Sequence, residues 1–75
     1  MNTLDFIENK LQEITELKSI YTAGEYQEEL DKEYYYYLGY KRGIKGGKIS
    51  DEMKEFPELW QGFQDAIFDK QLETQ

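Results

Sequence analysis

Apolar residues at Leu4, Ile7, Leu11, Ile14, Leu17 and Tyr21 recur at steps of three and four, which places them along one side of a helix. This seam predicts a first helix over about residues 3 to 22, with Asn2 as its cap and Asp5 near the positive end of the helix dipole. Gly24, following Tyr21-Thr22-Ala23, is expected to close it in the left-handed conformation. The same seam also fits a heptad interrupted by Lys18, so a helical hairpin and a homodimer are both compatible with it. A second helix is expected over about residues 25 to 45, with Tyr26, Leu30, Tyr34, Tyr37 and Leu38 on one face. Gly39 and Gly43 each cost about 1 kcal/mol relative to alanine inside a helix, so a helix running through them needs a compensating contact. Four residues apart, they share one side and leave a flat strip for another backbone. Gly46-Gly47 then stops the helix. Ser50 is placed to cap a short turn, and Pro57 to open a last helix over about residues 57 to 72, with Trp60, Phe63, Ile67, Phe68, Leu59, Ala66 and Leu72 on its apolar face. The expected fold is all-α: a single domain over 1–75 whose last two helices cross at glycines, preceded by an additional amphipathic helix.

Charge changes this picture. The chain carries a net charge of −7 on 75 residues, but unevenly: residues 1 to 33 sum to −6, residues 34 to 48 to +4 and residues 49 to 75 to −5. The central stretch Tyr34 to Lys48 holds five of the seven tyrosines and four of the six glycines, and has no acidic residue. There is no cysteine and no histidine, which removes thiol chemistry, thiolate zinc sites and the commonest general base. Ser19 and Ser50 have no histidine to activate them, so no catalytic residue, metal site or cofactor is expected. The carboxylate pairs Glu28/Asp31, Glu29/Glu33 and Asp65/Asp69 stand at helical spacing and read as solvated surface. No apolar run approaches a membrane span, and the start lacks the pattern of a signal peptide, so the expectation is a cytoplasmic protein of a bacterial or phage-infected bacterial cell.

Two pieces of the C-terminal half, Gly39-Tyr40-Lys41-Arg42-Gly43-Ile44-Lys45-Gly46 and Gly62-Phe63-Gln64-Asp65-Ala66 after Trp60, resemble the ribosome modulation factor family, small bacterial proteins carrying Gly-Tyr-x-x-Gly-Ile-x-Gly and a later Gly-Trp-x-x-Ala. The resemblance implies that Gly39, Gly43 and Gly62 let two helices cross closely and that Tyr40, Ile44 and Phe63 form a shared core. It also implies that Lys41, Arg42 and Lys45 lie where the family meets ribosomal RNA. Here Phe63 stands in place of the family's tryptophan, and the chain is strongly acidic where the family is basic.

Two functions follow as expectations. Glu25, Glu28, Glu29, Asp31 and Glu33 form one acidic group beside Tyr34, Tyr35 and Tyr36, and Asp51, Glu52, Glu55 and Glu58 form another. Carboxylates spaced along helices can imitate rows of phosphates, so the leading expectation is a non-enzymatic protein that docks on a basic, nucleic-acid-handling partner and inhibits or modulates it. Phage anti-restriction and anti-CRISPR proteins share that composition. The alternative is a ribosome-associated hibernation factor that binds RNA through Lys41, Arg42, Lys45 and Lys48 interleaved with Tyr40.

Overall fold

The computed structural model describes residues 3–22 and 24–73, and they form an all-α structure of four helices: α1 (Thr3–Ile20), α2 (Gly24–Ile44), α3 (Asp51–Lys54) and α4 (Pro57–Glu73). Asn2, expected to cap α1, lies outside the described residues. No helix among them is long and apolar enough to cross a membrane.

Helix α1 ends at Ile20, two residues earlier than its seam suggests, and Gly24 does not close it. Gly24 is instead the first residue of α2, and Gly46 is the one described glycine with positive φ. The last carbonyls of α1 find another donor. The Gln27 side-chain amide, one turn into α2, donates to the Lys18 carbonyl at 2.9 Å and to that of Tyr21, which satisfies acceptors that a helix end leaves without partners. Because α2 begins beyond the end of α1, little covers its first turn. Tyr21 and Tyr26, expected on buried faces, are 51% and 46% exposed and pack edge to face on each other, with ring centroids 5.1 Å apart.

Helices α1 and α2 form an antiparallel hairpin, as the pairings Glu8–Lys41 and Lys18–Asp31 show. Ile7, Ile14 and Leu30 are its buried centre. Helix α4 packs on a different side of α2. A Cβ at Gly39 would strike the Leu59 carbonyl, one at Gly62 would strike the Tyr36 carbonyl, and one at Gly43 would sit 2.6 Å from the Ala66 Cβ and 2.9 Å from the Phe63 carbonyl. The glycines thus admit backbone where other residues would hold the helices apart. The expected crossing is present, with Leu59, Phe63 and Ala66 buried in it. Ile44 and Trp60, expected at the same place, are half-buried at its edge, with Trp60 stacked on Phe63 at 6.0 Å.

The contact face of α4 differs from the amphipathic reading. Ile67, Phe68 and Leu72 are exposed at 38%, 60% and 54%, whereas the small Ala66 is wholly buried. Where the backbones come closest the crossing takes glycine and alanine, and Phe68 and Leu72 lie on the side of α4 away from it.

Helix α2 ends where expected. Gly46, at φ 76°, turns the chain so that its N–H reaches the Gly43 carbonyl at 3.1 Å and the Gly47 N–H reaches that of Arg42 at 2.9 Å. Ser50 caps α3 by accepting from the Met53 N–H at 3.3 Å, and Pro57 occupies the first position of α4.

Helices α1 and α4 do not pack on each other; each meets α2. The body is open and flat in consequence, 43 × 32 × 15 Å, with a radius of gyration of 13.1 Å where a chain of this length typically has about 11 Å. Its accessible surface is 5488 Å², against about 4,900 Å² for a typical monomer of 9.0 kDa.

Candidate interaction surface

The acidic residues of α2 divide into engaged and free. Asp31 forms an ion pair with Lys18, whose ammonium also stands 5.7 Å from the Tyr34 ring centroid. That bond to Asp31 raises the Lys18 pKa above the ordinary lysine value, so Asp31 belongs to the α1–α2 seam rather than to an outward surface. Glu29 has Lys32 at 3.8 Å on its own helix, a loose pair between exposed side chains. Glu25, Glu28 and Glu33 are exposed and have no ion-pair partner among the described residues. Glu25, Glu29 and Glu33 follow one another at four-residue steps, which sets successive carboxylates about 6 Å apart along the helix axis.

The second acidic group sits on α3 and the start of α4. Asp51, Glu52 and Glu55 are exposed, and Glu58 is half-buried. Asp51 pairs loosely with Lys54 at 3.6 Å, and Lys54 lies 5.2 Å from the Trp60 ring centroid. The two groups meet through a ring stack. Tyr35 of α2 lies on Phe56 at 5.3 Å with the planes 28° apart, so Phe56, next to Glu55, is drawn to a point two turns along α2 from Glu28.

The four consecutive tyrosines are all half-buried, so none presents the open ring expected of a docking residue. Tyr34 carries Lys18, Tyr35 holds Phe56, and Tyr37 packs edge to face on Phe6 at 6.4 Å. Tyr36 donates its hydroxyl to Asp65 at 2.7 Å, and Asp65 also accepts from the Gln61 amide at 2.8 Å. Burial first, and the Asp65 carboxylate second, push the Tyr36 pKa well above the ordinary phenol value. One turn on, Tyr40 donates to Asp69. Both partners advance by four residues, so α2 and α4 run the same way along the contact. The Asp65/Asp69 pair is therefore an acceptor row for tyrosines rather than solvated surface. Exposed rings near the α2 and α3 carboxylates include Tyr21, Tyr26 and Phe56, with Tyr26 lining an open concavity together with Gly24, Glu25 and Glu29.

The basic segment is partly neutralised from within. Lys41 meets Glu8 of α1 at 3.4 Å, and the Arg42 Nε–H donates to the Lys48 carbonyl at 2.6 Å. Tyr40 is half-buried and donates its hydroxyl to Asp69. Lys45 and Lys48 are exposed without an ion-pair partner among the described residues. Lys41, Arg42 and Lys45 border a shallow concavity of about 400 Å³ with Leu38, Gly46 and Gly47. Among the described residues no group of three or more aspartates and glutamates is arranged to hold a metal ion. Comparison of the chain with protein-family models, with curated proteins and with solved structures finds no match.

Proposed function

We propose that this chain is a non-enzymatic interaction protein that docks an acidic surface onto a basic, nucleic-acid-handling protein and inhibits or modulates it. The observation that carries the reading is the Tyr35–Phe56 stack, which joins two acidic groups from separate helices while Glu25, Glu28, Glu33, Glu52 and Glu55 stay exposed and without ion-pair partners among the described residues. Carboxylates held on helices cost little ordering on binding and present repeated negative charge to a surface built for phosphates. Charge of one sign also steers encounter with a basic partner, and it makes the complex sensitive to salt.

A second reading, ribosomal RNA binding as the family resemblance implies, draws on Lys45 and Lys48 beside the concavity that Arg42 borders. The two readings have opposite charge dependence. The test is a pull-down from bacterial lysate, with ribosome sedimentation in parallel, using the wild type, a Glu25→Lys/Glu28→Lys/Glu33→Lys variant and a Lys45→Glu/Lys48→Glu variant, which spares the Glu8–Lys41 pair and the Arg42 bond to the Lys48 carbonyl. Asp31 is left intact because it supports the fold through Lys18. The first reading expects a basic nucleic-acid-handling protein that is retained by the wild type, released by added salt and lost from the glutamate variant. Cosedimentation with ribosomes that survives the glutamate reversal and disappears with Lys45→Glu/Lys48→Glu refutes it.

A further inference from the structure

We infer that the chain associates with a second copy of itself through the tyrosine-floored groove between α1 and α4. The groove exists because these two helices do not touch: Phe6 forms one wall, Asp69 the other, and Tyr36, Tyr37 and Tyr40 the floor, around a concavity of about 250 Å³. Its lip on α4 is apolar. Asp65, Phe68, Asp69 and Leu72 fall at intervals of three and four and share one side of the helix, so Phe68 and Leu72, 60% and 54% exposed, stand beside the groove wall. Phe6, on the facing wall, is 47% exposed.

Two observations favour a second copy as the occupant. Groove and lip lie side by side on the same chain, so a two-fold axis lets each copy place its Phe68–Leu72 lip in the groove of the other, and the contact closes as a dimer. The surface in excess of a typical monomer is about 600 Å², the order of the roughly 800 Å² that each partner buries in a standard interface.

This association is independent of the identity of any other partner, and it presents two acidic surfaces from one particle. The test is sedimentation equilibrium and light scattering of the full chain up to high-micromolar concentration, alongside Phe68→Ser/Leu72→Ser and, as a control toward the Trp60 side of α4, Ile67→Ser. Circular dichroism checks that each variant keeps its helices, since all three side chains are exposed. The expected result is twice the 9.0 kDa chain mass for the wild type and Ile67→Ser, and the chain mass for the double variant. A 9.0 kDa wild type at the highest concentration overturns the inference and leaves the groove to a different protein. A double variant that stays dimeric, or a dimer lost only with Ile67→Ser, overturns the assigned face.

Discussion

Replacing Gly62 by alanine adds one methyl group at the point where α4 lies closest to α2. The obstacle is the Tyr36 carbonyl, part of a helix backbone that cannot swing aside, so the helices must separate. Leu59, Phe63 and Ala66 are 4%, 8% and 0% exposed in that contact, and burying a leucine or phenylalanine contributes about 1.5 to 3 kcal/mol each. A radial gap of about 0.5 to 1 Å forfeits a quarter to a half of the dispersion attraction, so opening the crossing costs about 3 kcal/mol. Alanine's better helix propensity returns about 1 kcal/mol, leaving a net loss of about 2 kcal/mol. For a domain whose single core supplies about 3 to 5 kcal/mol, that is much of its stability. Urea unfolding followed by far-ultraviolet circular dichroism should show the midpoint falling by about 2 M, if the urea slope is about 1 kcal/mol/M. Measurements are made at one protein concentration, since self-association adds to apparent stability. Gly39→Ala, against the Leu59 carbonyl, is expected to match it, and Gly43→Ala, whose nearest obstacle is the Ala66 methyl at 2.6 Å, to cost less. Gly24→Ala meets nothing within 4 Å and has ordinary φ, so it should be neutral or gain about 0.5 kcal/mol. A Gly62→Ala midpoint equal to or above that of the wild type refutes the close crossing.

Two further substitutions probe polar contacts. The Tyr36 pKa is raised above 10.0 in the folded chain, so the phenol's contribution is fully present below the unfolded value and is lost as pH rises above about 10. Tyr36→Phe should therefore cost about 1.5 kcal/mol at neutral pH and flatten part of the alkaline decline in thermal midpoint; an unaltered alkaline slope refutes the assignment. Ser50→Ala removes the acceptor of the Met53 N–H and should accelerate hydrogen exchange at that amide, with a stability loss of at most about 1 kcal/mol, because α3 is a single turn. Unchanged exchange at Met53 removes the cap.

The glycine crossing was legible because Gly39 and Gly43 four apart in a helix are unfavourable by themselves and make sense only under another backbone. Ile7 and Ile14 were legible for the opposite reason, since their periodicity is itself the burial signal. The core face of α4 was legible only in part: Leu59, Phe63 and Ala66 are buried as expected, but Ile67, Phe68 and Leu72 are not. Hydrophobicity ranks Phe68 and Leu72 above Ala66, but the closeness of the crossing inverts that order, and this closeness is a property of two helices rather than of one. The acceptor role of Asp65 and Asp69 was hidden because their tyrosine partners lie 29 residues away. The acidic groups of the proposed surface are read from composition, but the engagement of their neighbours is not. Asp31 and Tyr34 to Tyr36 looked available from their sequence neighbours, yet Lys18, Phe56 and Asp65 claim Asp31, Tyr35 and Tyr36 from other elements.

Because α1 touches only α2, the chain has two tiers of opening. Lifting α1 breaks the Glu8–Lys41 and Lys18–Asp31 pairs and exposes Ile7, Ile14 and Leu30, but leaves every contact of the α2–α4 crossing in place. Helix α1 can therefore unfold as a separate cooperative unit, with the protection of its amides set by this sub-global event rather than by global unfolding. When it does, Lys41 loses its carboxylate, and the local charge at the end of α2 becomes more positive for as long as the helix is away.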